Sequence, residues 1–539
     1  MLPILTAVQM KTCDTYTIET LGIPSQILME RAARMAAEIL VSRADLFPAE
    51  KVLLLCGSGN NGGDGFAMAR FLTDGSLPER RKAAIVYTGQ YDEEGEPDVT
   101  RMSTECRRQY ELAAAAGIPI LPRSDAPKIW DNEDISVVDA VFGIGLDRPV
   151  EGEIAHLLTA VAESGLPVLA VDIPSGIHAD TGAIMGASLP AKLTVTMQAL
   201  KAGLLLYPGA DLCGEIAVAE LGISLAPVVR PFANTADEGI LRRVLLPRAR
   251  RTHKGTYGRT ALLCGSEGMS GAAVLAAKAS LRSGAGLAEV LTPEANRLIL
   301  QTALPEAIVT VRRDTESLAK AIQRADGVAI GCGLGTSEEA YEALRSALQA
   351  LPADGSVPVV IDADGLTLLA SHEELWQTSL LASPKKQVVI TPHPAEMSRL
   401  CGLSVKEILR DLPGTALNYA RKRGITVVLK DAHTVIASPD GYLYICTAGN
   451  AGLSKGGSGD ALTGVIASLL TQNRNRLGSE LSTAETAAAG VCLHAAAADL
   501  AAEALGEYGL LATDVIERIP LLCKDFSDSR THVKQICRV

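Results

Sequence analysis

The run Lys51-Val-Leu-Leu-Leu-Cys56, followed by Gly57-Ser-Gly-Asn-Asn-Gly-Gly-Asp-Gly-Phe-Ala-Met-Ala-Arg70, decides the fold of the first half of this sequence. An apolar run ending in a glycine loop, with an apolar helical pattern behind it, opens a strand–turn–helix unit of the kind that presents its backbone to a phosphate. The loop lacks the Lys-Ser/Thr ending of a P-loop, and its glycines miss the GxGxxG spacing of a dinucleotide turn. It carries two asparagines and an aspartate instead. A helix is expected from near Phe66, with Asp64 placed to cap it.

Outward from this stretch, strands are expected at 51–56, 83–88, 135–142, 167–172 and 193–197, with a helical pattern over 98–116 and helices packed beforehand in 1–46. Such alternation predicts a parallel sheet covered by helices. The pattern weakens from Ile223 to about residue 250. We place a first domain at 1–222, a linker at 223–235 and a second domain at 236–539. In the second domain strands are expected at 259–264, 287–292, 327–331, 357–362, 387–391 and 425–430. A hairpin over 433–446 turns at Pro439-Asp-Gly441. Helices are expected at 271–283, 337–350, 395–401, 414–423, 459–472 and 482–505. No short-period repeat is present, so the prediction is α/β with two unlike domains, not a solenoid.

Composition narrows the class. The 539 residues are 47% hydrophobic and 21% charged, with a net charge of −12. An acidic chain without a basic run predicts neither nucleic-acid nor anionic-membrane binding. Arg248 to Arg251 reads as a solvated loop. The N-terminal MLPILTAVQMK has no basic region ahead of its short apolar stretch, so no signal peptide is expected. The apolar segment Thr483–Leu505 is broken by Glu485, His494, Asp499 and Glu503, and reads as a packed helix. Eleven cysteines without CxxC pairing predict reduced thiols and a cytoplasmic protein.

Two further strand ends in the first half carry unusual groups. Val137-Val-Asp-Ala-Val-Phe-Gly-Ile-Gly-Leu-Asp-Arg148 puts Asp139 inside an apolar strand, with a glycine turn after it. Val171-Asp-Ile-Pro-Ser-Gly176 puts Asp172 and Ser175 at the end of the next. A carboxylate inside such a strand is costly unless paired or bound to a cation. Asn61, Asp139 and Ser175 offer only oxygens, which suits K⁺, Mg²⁺ or Ca²⁺, and one carboxylate suits a monovalent ion. Asp139 as a structural hydrogen-bonding group is the competing expectation. Lys201, in Gln198-Ala-Leu-Lys-Ala-Gly203, reads as a surface or packing lysine, and His178 as a loop histidine.

With GSGNNGGDG, FGIGLDR and DIPSG in that order, residues 1–222 resemble the YjeF N-terminal domain, the NAD(P)H-hydrate epimerase family. The resemblance implies a Rossmann-like three-layer fold. It implies substrate contacts from Asn60, Asn61, Gly62, Gly63 and Asp64, and from Gly143, Ile144, Gly145, Leu146, Asp147, Arg148 and Pro149. It places K⁺ on Asn61, Asp139 and Ser175, and Asp172 at the reacting ring. Moving a proton beside the ring nitrogen is work a carboxylate can do.

In the second half, Leu453-Ser-Lys-Gly-Gly-Ser-Gly-Asp-Ala-Leu-Thr-Gly464 is the most informative stretch. Backbone N–H groups of Gly456 to Gly459 at a helix start make an anion hole, and Asp460 beside it is placed to accept a hydroxyl proton during attack on phosphorus. With HKGTYG (253–258), the glycine turn from Cys264, GCGLG (331–335), VVIDADGL (359–366), TPHPAE (391–396) and KDAHT (430–434), residues 236–539 resemble the YjeF C-terminal domain. That family is the ribokinase-like, ADP-dependent NAD(P)H-hydrate dehydratases. The resemblance implies substrate contacts from Ala272, Gly335, His393 and Asp460. It implies nucleotide contacts from Lys430, Asp431, Ala432, His433, Thr434 and Gly459, with Mg²⁺ bridging the phosphates of ADP. Cys332 stands where the family pattern has proline, and KDAHT has a bulky centre. His393, flanked by prolines, has a rigid-loop role as its competing expectation.

Together the halves imply a bifunctional nicotinamide-nucleotide repair enzyme. It would interconvert the R and S hydrates of NADH and NADPH and dehydrate the S form with ADP, giving AMP and phosphate, and it is expected to be a homo-oligomer. The alternative is a ribokinase-like kinase for a small hydroxymethyl compound with a non-catalytic first half.

Overall fold

The computed structural model describes residues 1–125, 134–476 and 481–527. Residues 528–539 of the expected second domain therefore lie outside the described residues. The chain divides into two units, Leu2–Ala233 and one beginning at Asn234. Residues 223–233 of the expected linker belong to the first: Ile223 is buried in its core, and the Ser224 N–H donates to Thr17 Oγ1 at 3.0 Å.

The first unit is a seven-stranded parallel sheet in the order Ile120–Leu121, Lys82–Tyr87, Lys51–Cys56, Ile135–Ala140, Val168–Val171, Leu193–Met197, Glu215–Ala219. Its central strands are continuous apolar runs because helices bury both faces. Ser25–Ser42, Asn60–Asp74 and Thr104–Ala115 contribute buried side chains to one core, while Gly152–Ser164 supplies Leu157, Leu158 and Val161 to the other. Leu55 pairs with Asp139, and Asp139 with Ala170. This register brings the glycine stretch, Asp139 and Asp172 to one carboxyl edge, where open α/β sheets bind ligands. The edge strands Ile120–Leu121 and Glu215–Ala219 were not expected; the first is too short to carry a pattern, and the second is only partly buried.

The helix after the first strand corrects the reading of the opening stretch. It begins at Asn60, with Gly59 as its N-cap, so Asp64 lies inside the helix and caps nothing. The glycines let it start early: a Cβ on Gly62 would lie 1.9 Å from the Gly57 carbonyl oxygen.

Among the described residues the second unit's strands run in the order Ile308–Val311, Leu287–Thr292, Arg259–Leu263, Gly327–Ile330, Val359–Ile361, Val388–Ile390, Thr426–Leu429, Thr434–Ala437, Leu443–Cys446, with Ala233–Thr235 pairing parallel to the last. All pairings are parallel up to Thr426–Leu429. The expected hairpin follows, its turn closed by the Gly441 N–H to Ser438 O at 3.0 Å. Thr483–Leu505 is the one helix among the described residues long and apolar enough to cross a membrane, and most of it is packed inside this unit's core. A helix at Asp364–Ser371 directly follows the VVIDADGL strand, and one at Thr315–Gln323 precedes Gly327–Ile330; neither was expected.

Candidate active sites

In the first unit a cavity of about 550 Å³ opens at the carboxyl edge, lined by Asn60, Asn61, Asp64, Gly143, Ile144, Gly145, Leu146 and Asp172 among others. Asp172 has φ of 70°, a left-handed conformation uncommon outside glycine. Its Oδ1 accepts from Lys201 Nζ at 2.7 Å, and its Oδ2 from the Ile144 N–H at 3.3 Å. A Cβ on Gly143 would stand 3.0 Å from Asp172 Oδ2 and 3.4 Å from Asn61 Oδ1, so the glycine turn fits between the two side chains.

Lys201 is therefore not a surface or packing lysine. It is wholly buried, lines the cavity, and donates to Asp172, to Thr196 Oγ1 at 2.9 Å and to Met197 O at 2.7 Å. Its burial follows from its place at the end of a short ladder, Leu200–Lys201 beside Pro3–Leu5. The one signal in the sequence was a lysine within an apolar run, which burial allows only beside a counter-charge.

Behind the cavity Asp139 is fully buried. Its Oδ2 accepts from the Ser175 N–H at 2.7 Å and its Oδ1 from Ser175 Oγ at 2.6 Å. Burial pushes this carboxyl up to about 6, with the Ser175 hydrogen bonds opposing. Both polar atoms of the Asn61 side-chain amide are buried and without a hydrogen-bond partner in the protein. A buried orphan amide carbonyl, a buried carboxylate and a hydroxyl are oxygen donors of the kind a hard cation takes.

Not every expected contact faces the cavity. Gly62 and Gly63 are packing positions, the latter against Met29 and the backbone of Cys106. Asp147, Arg148 and Pro149 are exposed and do not line it.

In the second unit Asp362 ties the separate motifs together. Its Oδ1 accepts from Lys430 Nζ at 3.0 Å and its Oδ2 from Thr463 Oγ1 at 2.8 Å. Lys430 also lies 3.9 Å from Glu396. Burial works against the Lys430 charge, but Asp362 and Glu396 hold the ammonium above the usual lysine value. Gly459 sits beside this pair: a Cβ there would meet Lys430 Nζ at 3.4 Å and Asp362 Oδ2 at 3.5 Å. Asp460 occupies the first turn of Ser458–Asn475, whose N-cap Gly457 has φ of 93°. Burial raises the Asp460 carboxyl, and a hydrogen bond with Cys332 counters it. The first-turn N–H groups of this helix have no intrahelical partner and, with the helix dipole, suit an anion.

The Gly335 N–H donates to Asp364 Oδ2 at 2.8 Å, and Ala272 packs where a Cβ on Gly333 would stand, 2.8 Å away. His393 is exposed and serves as the N-cap of Pro394–Cys401, its Nδ1 accepting from the Ala395 and Glu396 N–H groups. This cap is the rigid-loop geometry, and the Nε2 lies 3.5 Å from Glu396 Oε2. Asp431 and Ala432 are exposed in the turn before Thr434–Ala437, with His433 and Thr434 half-buried.

A family model described as YjeF-related protein N-terminus matches residues 25–203, and one described as NAD(P)H-hydrate dehydratase matches residues 260–521. The bifunctional NAD(P)H-hydrate repair enzyme Nnr of Thermofilum pendens is 35% identical over 95% of this chain and 94% of its own length. That of Coxiella burnetii is 36% identical over 95% and 98%. The Escherichia coli enzyme is 35% identical over 95% and 92%. The chain belongs to the bifunctional NAD(P)H-hydrate repair enzymes. It is thus an epimerase and a dehydratase in one polypeptide, and the small-molecule-kinase alternative leaves unexplained a likeness that spans both halves. Among solved structures, a Bacillus subtilis ADP/ATP-dependent NAD(P)H-hydrate dehydratase co-crystallised with ATP/Mg²⁺ is 31% identical, covering 55% of this chain and 99% of its own, with a TM-score of 0.46. In this repair enzyme the two family matches fall one on each unit.

Proposed function

We propose that the cavity of the first unit carries the epimerisation, with Asp172 taking the proton of the ring hydroxyl, and that the edge around Asp362, Lys430 and Asp460 carries an ADP-driven dehydration. The observation that supports this most directly is the pairing of Asp172 with a wholly buried Lys201 inside a 550 Å³ cavity. A hydrated nicotinamide carries a hydroxyl on a ring carbon beside nitrogen, and reversing that configuration requires a proton acceptor held at the ring. Asn60, Asn61 and Asp64 and the Gly143–Leu146 turn would hold the dinucleotide. The exposed Asp147, Arg148 and Pro149 would reach it only at the cavity mouth.

Asn61, Asp139 and Ser175 would hold K⁺, which would supply a fixed positive charge behind the glycine turn. The orphan Asn61 amide and the buried Asp139 support that assignment.

In the second unit the hydroxyl is a poor leaving group until phosphorylated. Asp460 would accept its proton. The backbone of Gly456 to Gly459 would hold the transferring phosphoryl group, and Lys430 to Thr434 would contact the nucleotide. Mg²⁺ would neutralise phosphate charge. Ala272, Gly335 and His393 would bound the substrate side.

The test supplies both NADH-hydrate epimers with K⁺, Mg²⁺ and either ADP or ATP, and follows the return of reduced-nicotinamide absorbance. Complete recovery of both epimers is expected with ADP. Recovery of one epimer alone would remove the epimerase assignment, and recovery with ATP only would remove ADP as co-substrate.

A further inference from the structure

The cavity of the first unit holds more acid than one proton acceptor explains. Asp14, on the helix Ala7–Thr15, and Asp64 both line it together with Asp172 and Lys201. Of the three, only Asp172 is ion-paired among the described residues, to Lys201. Asp14 is half-buried, and among the described residues its carboxyl has no hydrogen bond or ion pair.

Its position is built, not incidental. The helix bearing it is fixed at its start by a capping box at Thr6 and by the Ala7 N–H to Asp180 Oδ1 at 2.6 Å. Cys13 beside it is fully buried, and the chain passes directly into a π-helical turn, Tyr16–Thr20, anchored through Thr17 Oγ1 to Cys13 O at 2.8 Å. Single π turns recur at functional sites because they re-aim side chains.

Resting on the epimerase assignment above, we propose that Asp14 is the second catalytic carboxyl of this site, delivering a proton to the ring nitrogen while Asp172, ion-paired to Lys201, takes the hydroxyl proton. The O–H pair becomes the carbonyl π bond as the carbon–nitrogen bond breaks, and the electron pair of that bond goes to nitrogen, which takes the Asp14 proton. The carbon is then a planar aldehyde. Rotation about its bond to the next ring carbon exposes the other face. Closure reverses every step: nitrogen returns its proton to Asp14, and oxygen takes one from Asp172. Nothing is consumed.

Burial first, and then repulsion from Asp172, raises the Asp14 carboxyl, with Lys201 opposing. Asp64 is raised by burial, then by Asp172 and then by Asp14. Lys11 on the same helix, and Glu105, whose carboxylate accepts from Ser25, are the other charged groups lining the cavity.

The test uses the full-length protein with K⁺ and no nucleotide, one purified NADH-hydrate epimer, and chromatographic separation of the epimers across pH. Asp14→Asn is expected to lower kcat at least ~100-fold with KM little changed, and to abolish the fall in rate as pH rises through the Asp14 titration. Asp14→Glu should recover part of the rate and restore that fall. Lys201→Met should lower kcat while keeping the fall, as a positioning residue would. Wild-type kcat and an unchanged fall with rising pH in Asp14→Asn would overturn the proposal and leave the epimerase assignment standing. A wild-type protein unable to exchange the epimers would overturn both.

Discussion

Lys430 and Asp362 form a largely buried ion pair, Nζ 3.0 Å from Oδ1, between residues at the ends of two strands separated in the sheet by Val388–Ile390. Asp362 is 2% exposed, and its second carboxylate oxygen is committed to Thr463. The loop beginning at Lys430, the helix bearing Asp460 and the VVIDADGL strand are thereby held as one body.

Breaking this pair leaves Lys430 without its nearest counter-charge. Asp362→Ala is expected to destabilise the second unit by about 3–5 kcal/mol, the usual penalty for an orphaned buried charge. It should lower dehydration sharply while epimer exchange persists. Denaturant unfolding of the full chain, with both rates measured beside it, checks this; a variant as stable as the parent would show that Glu396 alone suffices.

The role proposed for Asp460 separates chemistry from binding in the second unit. Asp460→Asn keeps the shape and removes the proton acceptor, so kcat for dehydration is expected to fall ~10²–10⁴-fold. Nucleotide affinity, read by calorimetry, should change little, because the anion-binding N–H groups are backbone. Equal loss of affinity and rate would mean that Asp460 serves binding instead.

His494 makes the second unit acid-sensitive. It lies inside Thr483–Leu505 with Nε2 unpartnered, and burial, assisted by Lys430, pushes its pKa down from 6.5 to about 4. The unfolded chain therefore binds the extra proton between those values, and stability rises with pH there. The contribution of the neutral ring is complete above pH 6.5, declines as pH falls and is gone below about 4, a total of about 3 kcal/mol. Melting curves from pH 7.5 to 4 should show this decline in the parent and a flatter profile in His494→Gln. Parallel profiles would place the acid sensitivity elsewhere.

Most strands were legible because buried parallel strands are unbroken apolar runs: Lys51–Cys56 and Leu193–Met197 fall where the pattern put them. What the pattern missed was short or amphipathic by contact alone, such as Ile120–Leu121 and the helix at Asp364–Ser371. The site was legible as motifs but not as connections. Asp139, Asp172 and Asp460 stand out as carboxylates at strand or helix ends. Lys201 did not, because its partner Asp172 lies 29 residues earlier in the chain. Asp14 is one polar position on an N-terminal helix, and only folding brings it to the same cavity.

The glycine-rich stretch invited a single explanation, close approach to phosphate, and the structure divides it in two. A Cβ on Gly62 would meet the Gly57 carbonyl oxygen at 1.9 Å and the Gly57 nitrogen at 2.8 Å, both backbone atoms that cannot step aside. A Cβ on Gly59, which lines the cavity, meets nothing within 4 Å. Gly62→Ala must therefore push the helix start off the strand end, and overpacking of this kind costs about 1–3 kcal/mol or more. Gly59→Ala should leave stability within about 0.5 kcal/mol and instead weaken dinucleotide binding, because the added methyl projects into the cavity proposed to hold the ligand. Unfolding midpoints set beside KM for epimerisation distinguish the two: stability falls in the first variant, KM rises in the second. Equal melting of both variants would mean that the stretch is packed as a whole and that no glycine in it is reserved for the ligand.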